Sequence, residues 1–134
     1  SDRDKCVIAV TGDGSFMMNL QELATINRYE LPIKIILLDN SCLGLVRQWQ
    51  ELFFAERFSQ VDLSDNPDFV ELAAAFGIAG RSISRKSEVA AGLQELLHSK
   101  GSFLLHVQLE TSANVWPLVA PGKANTEMML GGKA

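Results

Sequence analysis

Three short apolar runs frame this chain: Cys6–Thr11 (CVIAVT), Ile33–Leu38 (IKIILL) and Phe103–Leu109 (FLLHVQL). Amphipathic stretches separate them, and that alternation is the pattern of an α/β domain built on a mostly parallel sheet. The expected architecture has three layers, with helices on both faces of the sheet. Cys6–Thr11 reads as a buried strand ended by Gly12, and a short strand is expected over Arg81–Ser84. A helix is predicted from Ser15 or Phe16 to Arg28, with Phe16, Leu20, Leu23, Ala24 and Asn27 near one face. Leu43 or Gly44 to Phe54 reads as a second helix. Asn66-Pro67-Asp68 reads as the start of a third: a capping amide, proline in the first turn, then an acid against the macrodipole. Phe69, Leu72, Ala73 and Phe76 would point inward, with Gly77 as the stop. Ser87–His98 reads as a fourth helix that tolerates Gly92 at some cost and is closed by Gly101.

The composition excludes several functions. With 134 residues, 47% apolar and 21% charged, the chain can enclose one core and is not of a disordered type. A net charge of −4 and a pI near 5.1 argue against a nucleic-acid surface. The apolar run Leu31–Leu38 is interrupted by Pro32 and Lys34 and is far too short to span a bilayer. Cys6 and Cys42 are too few for a disulfide framework or a zinc site. A reducing, cytoplasmic setting without membrane association is the expectation. No Met precedes the charged opening Ser1-Asp2-Arg3-Asp4-Lys5, as though the sequence were cut from a larger protein.

Chemistry concentrates where the first two strands end. Gly12-Asp13-Gly14-Ser15 stands at a strand-to-helix turn, and in open α/β sheets ligands bind outside the carboxyl ends of the strands. Glycines there let backbone approach a phosphate, and the N–H groups of the first helical turn stabilise the anion. An acid in that turn repels bare phosphate but suits a divalent cation lying between carboxylate and phosphate. Asn40 ends the next strand, 27 positions after Asp13. A strand, helix and returning strand would bring both to one cation, and Mg²⁺ takes a few protein oxygens plus phosphate and water. Each segment alone is also an ordinary turn. His106 reads as a satisfied core histidine, His98 as a helix C-terminal residue, and Arg57, Arg81, Arg85 and Lys86 as surface.

GDG followed after 25 residues by Asn resembles the thiamine-diphosphate signature. The resemblance implies Asp13, Asn40 and the backbone carbonyl of Cys42 as metal ligands. It departs at Asp39, where that signature usually has a first asparagine. Leu43-Gly44-Leu45-Val46-Arg47-Gln48-Trp49-Gln50 and Asn114–Gly122 (NVWPLVAPG) with Glu127-Met128 are similar to the acetolactate synthase family, nearest the bacterial second isozyme type. GDGSFMMN and the NPDF helix extend that likeness over nearly the whole chain.

What the resemblance implies is a thiamine-diphosphate-binding fold, incomplete at its N-terminus, over residues 1–110, with a tail, 111–134, packing near the active site. It implies thiamine diphosphate bound at Gly12, Asp13, Gly14, Ser15, Asn40 and Leu45, with Mg²⁺, and FAD on a domain outside this chain. Trp49 and Leu45 would line the substrate pocket, Trp49 favouring 2-ketobutyrate over pyruvate as acceptor. The family decarboxylates pyruvate and joins the two-carbon unit to pyruvate or 2-ketobutyrate, in branched-chain amino-acid biosynthesis. Its proton-relay glutamate lies on a different domain, so this segment alone should be inactive. A homodimer or tetramer with a small regulatory subunit is the implied assembly. Two alternatives stay open: another thiamine enzyme of the pyruvate oxidase or decarboxylase type, and a non-catalytic α/β binding module.

Overall fold

The computed structural model describes residues 5–131. Four strands, β1 (Val7–Gly12), β2 (Ile33–Asp39), β3 (Ala79–Ile83) and β4 (Phe103–Gln108), form one parallel sheet in the order β1-β2-β4-β3. Parallel neighbours cannot be joined by a tight turn, so helices fill the crossovers. These are α1 (Asp13–Met17), α2 (Glu22–Arg28), α3 (Gly44–Phe53), α4 (Phe69–Ala75) and α5 (Val89–His98).

Alternation along the strands sorts side chains to two faces. One carries Ile35, Leu37 and Leu104, covered by Phe16 of α1, Leu23 and Ile26 of α2, and Phe69 and Ala73 of α4. The other carries Ile83, Phe103 and Leu105, covered by Leu96 of α5. The expected three layers are therefore present. Lys34, on the second face, can be buried because its ammonium donates to the Ser99 and Gly101 carbonyls just past α5 and to the Ser99 hydroxyl.

Four expectations need correction. β1 is not buried: Val7, Ile8 and Val10 are 55%, 46% and 64% exposed, because β1 is an edge strand paired on one side by β2. The helix expected to run unbroken to Arg28 is split into α1 and α2. Asn19 Nδ2 takes the Ser15 carbonyl, and i→i+3 bonds such as Asn19 N to Phe16 O and Leu23 N to Leu20 O tighten the chain between them. Ile26 is consequently the second buried residue of α2, while Ala24 and Asn27 are exposed. The cap of α4 is Asp68, not Asn66: its Oδ1 accepts from Val70 N and Glu71 N at 2.8 and 3.0 Å. The helix expected from Ser87 begins with a 3-10 turn, Lys86–Glu88, before α5.

Residues 109–131 are irregular apart from a 3-10 turn at Asn125–Glu127. They are tied down at several points. Gln48 of α3 bonds Val115, Asn114 Nδ2 reaches Glu51, and Leu118 exchanges two backbone hydrogen bonds with Met129. Gly131 lies so close to Trp116 that a Cβ there would stand 2.7 Å from Cγ of the indole.

Candidate functional site

The register decides which loops meet. Gly12 is paired with Leu38, so β1 and β2 end side by side and their following residues share one cleft. That cleft, about 290 Å³, is lined by Gly12, Asp13, Gly14 and Ser15 from the first strand end and by Asn40, Cys42 and Gly44 from the second, among others. Asp13 and Asn40 thus lie on the same cleft. Gly44 makes room for this: a Cβ there would come within 2.7 Å of Asn40 Nδ2. Ser15 is exposed and is the third residue of α1; Gly12 holds the cap position, without a side-chain cap bond. At five residues, α1 carries little dipole, so any anion there would rely on individual N–H groups.

The electrostatics at the strand ends are unusual. Asp13 is 3% exposed. Burial raises its pKa; the Gly14 N–H opposes that shift, and neighbouring Asp39 adds to it. No cationic side chain is among the groups acting on it; its side chain meets the Asp39 carboxyl and accepts from Asn66 Nδ2 at 3.4 Å. Burial also acts to raise Asp39, but hydrogen bonds from His106 and the Ser41 N–H outweigh it and hold that carboxyl below the ordinary range. His106 Nε2 lies 2.9 Å from Asp39 Oδ2, and Ser41 N donates to Asp39 Oδ1 at 2.8 Å. Burial pushes the Cys42 thiol up, against the Arg47 charge, so the residue is no poised nucleophile.

These features fit a small divalent cation. A buried carboxyl beside a second carboxylate, with no positive partner, is relieved when a cation binds. The carboxylate of Asp13 and the amide oxygen of Asn40 are the hard donors Mg²⁺ prefers. Among the described residues no cluster of three His, Cys, Asp or Glu side chains could hold a metal unaided. An amide, a backbone carbonyl or a ligand's own oxygens would have to complete such a site.

Trp49 and Leu45 are not core residues: they are 37% and 55% exposed on α3. With Val46, Gln50, Phe54 and Arg57 they line a separate apolar cavity of about 720 Å³. The Trp49 ring is braced edge-on by Phe53, centroids 5.6 Å apart.

His106 is satisfied on both ring nitrogens, by Asp39 and by Ser82 Oγ at 3.1 Å. The partners Asp39, Ser82 and Asn66 were not anticipated as contacts of the site. Asp39 carried a signal, its departure from the usual asparagine, whereas Ser82 and Asn66 come from distant elements and carried none.

The family described as "Thiamine pyrophosphate enzyme, C-terminal TPP binding domain" matches residues 1–107. Among curated proteins, the acetolactate synthase isozyme 2 large subunit of Escherichia coli is 58% identical over 92% of this chain and 22% of its own length. The acetolactate synthase large subunit of Pyropia yezoensis is 44% identical over 92% of this chain and 21% of its own. This chain therefore spans about a fifth of the length of these relatives. The solved thiamine diphosphate-dependent 4-hydroxybenzoylformate decarboxylase of Rhodococcus jostii superposes with a TM-score of 0.74 at 25% identity, over 81% of this chain and 20% of that one. By the match over residues 1–107 and the parallel fold that carries it, this chain belongs to the thiamine pyrophosphate enzymes, in their C-terminal TPP-binding domain.

Proposed function

We propose that this chain serves as the diphosphate- and metal-binding C-terminal part of an acetolactate synthase catalytic subunit. The reaction is decarboxylation of pyruvate and transfer of the two-carbon unit to pyruvate or 2-ketobutyrate, a step in branched-chain amino-acid biosynthesis. The observation that carries the reading is the common cleft of Asp13 and Asn40 at the ends of two paired parallel strands. The 58% identity to an acetolactate synthase large subunit supports this activity over a decarboxylase one, for which the resemblance is 25%.

Asp13, the Asn40 amide oxygen and the Cys42 carbonyl would hold Mg²⁺. The Gly14 and Ser15 N–H groups, with Ser15 Oγ, would face the diphosphate. Bound thiamine diphosphate supplies the electron sink for breaking and making the carbon–carbon bonds. This chain's residues orient and exclude. Leu45 lines the apolar cavity and not the Asp13 cleft, and with Trp49, Val46 and Phe54 it would form a wall that keeps water from an acceptor side chain lodged there. The tail from residue 111 would pack near the active site, a placement supported by the bonds of Asn114 and Val115 to Glu51 and Gln48 of α3. FAD, a homodimeric or tetrameric catalytic subunit, a small regulatory partner and a cytoplasmic setting complete the proposal. Among the described residues no helix is long and apolar enough to cross a membrane.

The test is product analysis with the complete subunit that carries this sequence, given pyruvate, thiamine diphosphate and Mg²⁺. Acetolactate is the expected product, and Asp13→Ala should abolish it. Release of free acetaldehyde without acetolactate would replace this reading with the decarboxylase one.

A further inference from the structure

Three strands contribute to one polar row on the face covered by α4. Ser82 of β3 and His106 of β4 are direct register partners, and His106 is also opposite Leu37 of β2, two residues before Asp39. Alternation puts Ser82, His106 and Asp39 on the same face. The hydrogen bonds run from Ser82 Oγ to His106 Nδ1, 3.1 Å, and from His106 Nε2 to Asp39 Oδ2, 2.9 Å. The row ends where Ser41 N and Oγ donate to Asp39 Oδ1, at 2.8 and 3.3 Å. The imidazole is 6% exposed and meets the Phe69 ring at 67°, centroids 5.4 Å apart. Turning it would break both hydrogen bonds and that contact. In this pair the ring N–H at Nε2 is the donor and Asp39 Oδ2 the acceptor.

We infer that His106 is a positioning residue for the cation site, acting through Asp39 without touching the ion. The inference rests on the reading of Asp13 and Asn40 as cation ligands. Ser41 has φ +54, a left-handed conformation that costs a non-glycine residue about 1–2 kcal/mol. Asp39 Oδ1 holds that turn by bonding the Ser41 N–H, and the turn places Asn40 and the Cys42 carbonyl on either side of Ser41. His106 keeps Oδ2 engaged, so the carboxylate is pinned at both oxygens. Without the imidazole N–H, the Asp39 carboxyl keeps only Asp13 and Ser41 as partners and loses the bond that fixes Oδ2, so it is free to rotate. The Ser41 turn then loses its anchor and the ligand oxygens lose their spacing.

The experiment measures Mn²⁺ binding to the complete subunit in the presence of thiamine diphosphate, with free Mn²⁺ followed by electron paramagnetic resonance. Asp13→Ala should remove the specific site; if it binds like wild type, the cation reading itself fails. With that control in place, His106→Phe keeps the ring volume and the Phe69 contact but offers no N–H. It should weaken Mn²⁺ binding about 10- to 100-fold, the scale for groups that orient metal ligands. His106→Gln, whose amide N–H reaches Asp39, should recover most of that loss, which a purely packing role would not allow. Wild-type affinity in His106→Phe, or equal weakness in the Gln and Phe variants, overturns the inference. Should His106→Phe not fold, His106→Leu carries the same expectation. Failure of both to fold while His106→Gln folds marks His106 as a structural residue and also overturns it.

Discussion

Gln48 and Val115 exchange two hydrogen bonds across 67 positions of sequence: Gln48 Nε2 donates to Val115 O, and Val115 N donates to Gln48 Oε1, both at 2.9 Å. Gln48 is completely buried, so its amide pairs with tail backbone much as a neighbouring strand would. The helix that carries Trp49 and the segment after β4 are thereby one packed unit. Gln48→Leu would remove both hydrogen bonds, each worth about 0.5–1.5 kcal/mol. Limited proteolysis should then cut near Val115 sooner than in wild type, with the sheet still protected from hydrogen exchange. Unchanged cleavage would mean that the Asn114–Glu51 contact is sufficient to hold the tail.

Gly92 is a contact with the sheet and not merely a weak spot in α5. A Cβ there would stand 3.1 Å from Leu105 Cδ1 and 3.5 Å from Ile83 Cγ2. Gly92→Val should destabilise by about 1–3 kcal/mol through overpacking, despite the better helix propensity of almost any residue over glycine. The midpoint of urea unfolding measures this, and an increase in stability would contradict the packing described.

Glu88 titrates far from its ordinary value. The Arg85 guanidinium and the Ser84 and Arg85 N–H groups bring its carboxyl from 4.5 down to about 2. A depressed pKa contributes stability that is fully present above 4.5 and is lost as pH falls from there through about 2. The difference in unfolding midpoint between wild type and Glu88→Gln should be constant above pH 5 and shrink below 4.5. A difference that persists at pH 2 would show that the charge on Glu88 contributes nothing.

Trp49→Leu in the complete subunit should reduce the preference for 2-ketobutyrate over pyruvate by about one to two orders of magnitude, the worth of one methylene in an apolar pocket. Affinity for Mg²⁺ and thiamine diphosphate should change little, because the indole faces the apolar cavity and not the Asp13 cleft. The product ratio with both acceptors present is the measurement. An unchanged ratio with a large loss of stability would make Trp49 a packing residue.

The purified chain by itself should form no acetolactate from pyruvate, thiamine diphosphate and Mg²⁺. The resemblance implies that the proton-relay glutamate lies on a domain outside this chain. Product above background would overturn that.

Much of this protein is legible in its sequence because the signals are local. Apolar runs name the strands, Gly77 and Gly101 mark helix ends, and Gly12-Asp13-Gly14 with Asn40 points to one cleft before any strand is paired. The errors fell where a neighbour decides. β1 has the composition of a buried strand, yet it is exposed because burial depends on what lies beside and above it. Asp68 and Asn66 are equally good caps by residue type; only the path of the chain turns one to the α4 N–H groups and the other to Asp13. The Asp39–His106–Ser82 row and the Gln48–Val115 pairing join residues 24 to 67 positions apart. No periodicity encodes such contacts, because they exist only once parallel register and helix packing have set which strand ends meet.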